Sequence, residues 1–232
     1  MSLPSNVHVS SHPLLQAKLS QLRSSSTSTR QTRDLVHEIA TILGVEAFAS
    51  GWKTKQDGTD TTPLGIEYPT TTIDPSNIAL VPILRSGLGM TDAINSLLPT
   101  SIPIYHLGLF RERLTLQPVE YYNNLPFHRE AGATSSATAN TAAADTAILL
   151  DPIIATGATA EAAIQLLREW GVRRVVMLSV LGSEAGIRRA AGTWAEGVEV
   201  WTGAVDAQCD ARGMIVPGLG DIGDRLFVAI GK

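Results

Sequence analysis

The stretch AILLDPIIATGATAEAAIQLLREW, residues 147–170, decides the fold. Ala147 to Leu150 form an apolar run long enough for a buried strand. Asp151 ends it, and Pro152 rules out continuing a central ladder, because proline has no amide to donate. Ala155, Thr156, Gly157, Ala158 and Thr159 follow, all small or hydroxylated. From Ala160 the period changes. Ala160, Ala163, Ile164 and Leu167 fall on one helical face, Glu161 suits the first turn, and Gly171 suits the residue beyond the end. The order is strand, acid, small-residue loop, helix. First-turn amides of a helix lack intrahelical acceptors and carry partial positive charge, so they hold anions. Small side chains let a phosphate approach, and the hydroxyls of Thr156 and Thr159 add donors. An acid at the strand end accepts hydrogen bonds from sugar hydroxyls or helps hold magnesium. The loop has no lysine and is not the GxxxxGKS/T nucleotide loop; its glycine spacing is not GxGxxG either. The plain alternative is an ordinary strand-to-helix turn.

A second unit of the same kind lies upstream. Ile78 to Leu84 is an apolar strand, then come Arg85, Ser86, Gly87, Leu88 and Gly89, and Met90 to Leu98 reads as a helix closed by Pro99. A guanidinium binds phosphate oxygens bidentately, so Arg85, flanked by Gly87 and Gly89 at a strand end, is a candidate anion ligand rather than a plain surface arginine. Further strands are expected at Ile102 to Phe110, Val175 to Leu181 and Val198 to Val205, with a helix from Ser183 to Ala191 capped by Ser183. Trp194 and Trp201 are read as packing residues. The alternation of strands and helices predicts an α/β protein with a parallel sheet covered on both faces.

The N-terminal part reads differently. Residues 1–12 are polar and expected to be loosely held, with His8 and His12 on the surface. Leu14, Leu15, Leu19 and Leu22 suggest a short helix, SSSTST (24–29) a polar cap, and Arg33 to Leu43 an amphipathic helix. Arg30 and Arg33 sit at its start, unfavourably for the dipole, facing solvent or pairing with Asp34 and Glu38. Residues 51–75, rich in threonine with three prolines, are expected to be irregular or a hairpin. Residues 128–146 are low-complexity and are read as a flexible insertion in which His128 is solvated.

Composition narrows the function. The chain of 232 residues is 44% hydrophobic and 17% charged, suited to one α/β domain. A net charge of −4 argues against duplex nucleic acid as partner, so a phosphate site must be local. Cys209 is the sole cysteine, which excludes an internal disulfide and a cysteine-based metal site. No signal pattern and no membrane-length apolar run is present, so a soluble, cytoplasmic protein is expected.

Four stretches together resemble the uracil phosphoribosyltransferases, a type I phosphoribosyltransferase family. LLDPIIATGAT (149–159) resembles the loop that binds phosphoribosyl diphosphate (PRPP), and VPILRSGLGM (81–90) the loop that contacts its pyrophosphate. RERLTLQPVEYYNNLP (111–126) resembles the arginine-led arm, and MIVPGLGDIGDRLF (214–227) the uracil-binding hood, read from its glycines and its proline as a rigid non-helical loop. The resemblance implies a Rossmann-like parallel-sheet phosphoribosyltransferase core with a hood and a β-arm, in a single domain over 1–232. Within it, 1–30 is an N-terminal extension, 128–146 the insertion and 206–227 the hood.

It further implies transfer of the phosphoribosyl group of PRPP to uracil, giving UMP and pyrophosphate. Asp151, Asp221 and Arg85 would carry the chemistry. PRPP would be held by Arg85, Arg111, Asp151, Pro152, Ile153, Ile154, Ala155, Thr156, Gly157, Ala158, Thr159 and Asp221, with Arg113 a second candidate arginine on the arm. Uracil would be read by Ile215, Gly218, Gly220, Asp221 and Ile222. Magnesium would arrive with PRPP, GTP activates some relatives, and the family forms dimers or larger homo-oligomers. A basic residue near Arg33 approaches an active-site loop, the arm's Tyr121 and Tyr122 serve packing or subunit contacts, and a non-proline cis peptide sits in the Arg85 loop. Ala158 stands where the family usually has a second glycine; were φ positive there, its methyl would cost about 1–2 kcal/mol. Ser86 and Ile222 replace usual alanines and Met214 a common tyrosine. These departures motivate the alternative of a catalytically weak nucleotide sensor on the same scaffold. A third option is an enzyme for orotate or a purine, but residues 214–222 contain no lysine or arginine to meet a carboxylate. The acidic balance disfavours an RNA-binding regulator, and no lysine-bearing phosphate loop supports a kinase.

Overall fold

A computed structural model describes residues 2–112, 118–126 and 144–228, with Arg111 given by its backbone alone. Arg113, His128 and nearly all of the 128–146 insertion therefore lie outside the described residues. The elements run β1 (Val7–Val9), α1 (Pro13–Arg23), α2 (Thr29–Gly51), β2 (Lys53–Thr61), β3 (Glu67–Asp74), β4 (Ile78–Leu84), α3 (Leu88–Leu97), β5 (Leu107–Arg111), β6 (Pro118–Asn123) and β7 (Thr146–Leu150). They continue as β8 (Ile153–Ile154), α4 (Ala158–Trp170), β9 (Arg174–Ser179), β10 (Leu181–Ser183), α5 (Glu184–Thr193), β11 (Val198–Thr202), β12 (Val205–Asp206), β13 (Gln208–Cys209), β14 (Ile215–Val216) and α6 (Ile222–Phe227).

Seven strands make the main sheet in the order β1-β11-β9-β7-β4-β5-β6, parallel throughout except for β6. Both faces of its centre are buried, as near-continuous apolar strands require. Leu80, Ile148, Leu150 and Leu178 face one core with α1, α2, α3 and α6. Val81, Leu149, Val175 and Met177 face the other with α4 and α5. The period of two along each strand thus sorts its side chains between two helical layers.

Several expectations need correction. The polar N-terminus is not loose: β1 pairs in parallel with β11, and the Asn6 side-chain amide donates to Ala191 O at 3.0 Å and Val198 O at 2.9 Å. His8 stacks on Trp201 with ring centroids 4.2 Å apart. A three-residue edge strand is too short to show a period. The strand expected from Ile102 begins at Leu107; Pro103 has no amide to donate, and only Ile104 bridges back to Leu80. The strands read as 175–181 and 198–205 each break near their ends. Their last residues, Leu181 and Val205, fall in β10 and β12, and β10 pairs with both β12 and β8 in a separate small parallel sheet. The helix expected over Arg33 to Leu43 runs from Thr29 to Gly51, started by a capping box between Ser28 and Gln31. Residues 51–75 do form a hairpin, β2 against β3.

Chain order places the site. From β4 the chain passes through α3 to β5 on one side; from β7 it passes through α4 to β9 on the other. The winding reverses between β4 and β7, which are neighbours. In open α/β sheets the crevice at such a switch point, beyond the strands' C-terminal ends, is where ligands bind.

Candidate active site

The two loops flanking that crevice are the ones singled out in the sequence. The loop after β4 carries Arg85 and Ser86, and the peptide joining Leu84 to Arg85 is cis. The loop after β7 carries Asp151 to Gly157. Facing both is the segment from Gly213 to Asp224. Together they enclose a cavity of about 850 Å³. Arg85, Asp151, Ile153, Ile154, Ala155, Thr156, Gly157 and Thr159 line it on the loop side, and Ile215, Gly220, Asp221 and Ile222 on the other. Pro152, Ala158 and Gly218 are buried and do not line it. The Arg111 side chain lies outside the described residues.

Asp151 is the chemically unusual group. It is 7% exposed at the strand end, and burial pushes its carboxyl up to about 7 from the usual 3.8. The Ile153 amide and the Ser86 hydroxyl, 3.4 Å from Oδ1, pull the other way without cancelling the burial. A carboxyl so placed needs donors to hold its charge, and sugar hydroxyls are suitable donors. Arg85, by contrast, is exposed and, among the described residues, forms no ion pair; its guanidinium rests over the Phe227 ring, 5.9 Å from the centroid.

Helix α4 begins at Ala158, two residues earlier than the period suggested. Gly157 caps it with φ 79°, and a Cβ there would lie 2.6 Å from Gly186 O. Glycine is required at Gly157 for both reasons. Ala158, where the family usually has a second glycine, has ordinary helical backbone, so the cost foreseen for its methyl does not arise. Ser183 caps α5 through the Gly186 amide at 2.9 Å and donates to Ala155 O at 2.5 Å, which pins the small-residue loop to the neighbouring helix.

The hood is not wholly non-helical. β14 and a cis Val216–Pro217 bond lead into α6, whose N-cap is Asp221, with Oδ1 accepting from the Asp224 amide at 3.1 Å. Asp221 is thus a capping residue and, among the described residues, forms no salt bridge. Arg33, expected on a solvated face, donates from Nε to Leu226 O at 2.7 Å and ties α2 to the end of α6. Met214, Leu219, Phe110 and Tyr121 also line the cavity, although Tyr121 was expected only at a packing or subunit contact. What the sequence did not reveal is the Ser86 hydroxyl beside Asp151. Those residues are 65 positions apart, and no local pattern joins them.

Comparison with known proteins gives the family and the fold. A sequence model of the family described as uracil phosphoribosyltransferase matches residues 9–229. The uracil phosphoribosyltransferase of Roseiflexus castenholzii is 40% identical over 221 residues, covering 95% of this chain and 97% of that one. The uracil phosphoribosyltransferase of Halalkalibacterium halodurans is 37% identical over 225 residues, covering 96% and 98%. The solved structure of the AQ2163 protein from Aquifex aeolicus has a TM-score of 0.82 to this fold at 28% identity, covering 96% of this chain and 98% of that one.

Proposed function

The chain belongs to the uracil phosphoribosyltransferase family, and we infer from that premise that it transfers the phosphoribosyl group of PRPP to uracil, with UMP and pyrophosphate as products. The observation that carries the assignment of the site is the meeting of Asp151 and Arg85 at the ends of adjacent strands β7 and β4, inside one cavity roofed by residues 213–224.

In this reaction N1 of uracil forms a bond to C1 of the ribose as the bond to pyrophosphate breaks. The transition state is oxocarbenium-like, with negative charge growing on the leaving group. Positioning and electrostatics suffice, and no nucleophilic side chain is needed. Asp151 accepts from the ribose hydroxyls. Residues 153–159 and the α4 N-terminus hold the 5-phosphate, where the helix's partial positive charge favours an anion. Arg85 and Arg111 balance the pyrophosphate, with Arg113 next along the arm. Ile215, Gly220 and Ile222 present backbone groups to the base edge. Uracil offers an acceptor at O4 and a donor at N3; a cytosine would leave one or two partners unpaired at about 1–3 kcal/mol each. Asp221, at the cavity edge, is the candidate acceptor for the N1 proton. Water that would hydrolyse PRPP is displaced once the base is seated.

Among the described residues no cluster of three or more metal-ligating side chains is present. Asp221 and Asp224 both line the cavity and suit magnesium carried on PRPP, which keeps most of its coordination for phosphate and water. Bound there, the ion would offset pyrophosphate charge. Magnesium, activation by GTP and assembly into dimers or larger oligomers are carried by the family resemblance. Among the described residues no helix is long and apolar enough to cross a membrane.

The sensor alternative is not favoured: its argument at Ala158 disappears with the helical backbone there. An orotate enzyme needs a free cation near the base, whereas Arg225 spends its donors on the carbonyls of Leu22, Leu219 and Ser24. The test is UMP formation from PRPP, magnesium and uracil beside orotate, cytosine and hypoxanthine. Turnover with uracil alone is expected; PRPP binding without turnover of any base would overturn the assignment.

A further inference from the structure

The hood backbone is held from behind by charged side chains, one of which, Arg23, comes from the opposite end of the chain. Arg23, the last residue of α1, meets Asp206 in a two-pronged pair: Nη1 to Oδ2 at 2.8 Å and Nη2 to Oδ1 at 2.7 Å. The same Nη1 donates to Gly218 O at 2.8 Å. Asp206 Oδ2 in turn accepts from the Gly218 amide at 2.9 Å. Both backbone groups of one hood residue therefore end on a single ion pair. Asp206 is 8% exposed, and the Arg23 guanidinium holds its carboxyl below the usual range.

The next residue is held similarly. Leu219 O accepts from Arg225 Nη1 at 2.7 Å, while the same guanidinium reaches Leu22 O at 2.6 Å and Ser24 O at 3.0 Å at the end of α1. Gly218 itself has φ 61°, and a Cβ there would lie 2.1 Å from Ile215 O, so the turn closes on its own strand. None of Arg23, Asp206 and Arg225 lines the cavity, and none of their side-chain hydrogen bonds reaches the loops at 85–89 or 151–159.

We propose that Arg23, Asp206 and Arg225 are positioning residues for the base, fixing Gly218 and Leu219 so that Ile215, Gly220 and Ile222 meet the edge of uracil at the right spacing. Gly218 is then an anchor of the reading surface, and the N-terminal extension is part of the specificity apparatus. The proposal rests on the reading of this cavity as the uracil site. It separates the two substrates: base recognition depends on the arginine–carboxylate anchor, and PRPP recognition does not.

Arg23→Gln and Asp206→Asn test it: Asp206→Asn keeps the side-chain size, Arg23→Gln shortens the side chain, and each removes one charge of the pair. Uracil KM is expected to rise about ten- to a hundred-fold, the range for losing a hydrogen bond to a charged partner, while PRPP KM stays within about two-fold. The preference for uracil over cytosine should shrink with it. In the ligand-free proteins, amide hydrogen exchange should quicken in residues 214–222 and stay unchanged in 78–98 and 151–170. Equal rises in both KM values, or unchanged exchange in the hood, would overturn the proposal. Should Arg23→Gln fail to fold, Arg225→Lys keeps the cation and loses the three-carbonyl reach, and the same readouts apply. If the unaltered protein does not use uracil, the cavity assignment fails, and the exchange measurement still decides whether the anchor holds the hood.

Discussion

Asp151 concentrates the residue-scale chemistry. A carboxyl raised from 3.8 to about 7 by burial stabilises the fold below about pH 4 and loses that contribution as pH rises through about 7. Well above pH 7 the ligand-free protein carries a charge that the fold does not satisfy, a penalty of about 4 kcal/mol at most. Asp151→Asn removes it. The variant should therefore gain melting temperature relative to the parent at pH 8 and gain clearly less at pH 5, where only part of the penalty has set in, while UMP formation is lost. Thermal melting of both ligand-free proteins at the two pH values reads this directly, and a gap independent of pH would refute it. The sequence singled out Asp151 because a strand end followed by proline is a local signal. It could not give the pKa, which arises from burial by the surrounding loops and from Ser86 on another strand's loop.

At the scale of elements, legibility tracked length. α4 was visible because its apolar stripe repeats across three turns, and β4 and β7 because they are apolar throughout. β1, β8, β12 and α6 were missed because two to six residues cannot show a period; pairing partners and caps define them. Helix α6 bears on function, because Asp221 both caps it and lines the cavity. The two roles separate by substitution. Asn caps as well as Asp, so Asp221→Asn should melt near the parent and still lose most activity through the missing charge. Asp221→Ala should also lose about 1 kcal/mol of stability with the cap. If Asn retains full turnover, Asp221 is a cap alone and takes no proton.

At the scale of the whole molecule, strand order and the meeting of distant segments were beyond the sequence. The alternation of strands and helices implied a parallel sheet, but only the fold shows that its winding reverses between β4 and β7, and that this reversal sets Arg85 beside Asp151. The same holds for charge. A chain of net charge −4 repels a polyanion such as PRPP at long range, yet the crevice offers Arg85 and the start of α4. Attraction confined to the site is screened as ionic strength rises, the Debye length falling from about 10 Å at 0.1 M to about 3 Å at 1 M. Uracil is uncharged and supplies an internal control. Raising sodium chloride across that range at fixed magnesium should therefore increase PRPP KM several-fold and leave uracil KM nearly constant. Initial rates with each substrate varied against saturating partner measure both. Parallel increases would mean that salt loosens the fold or the hood as a whole, and that local charge is not what draws PRPP to the crevice.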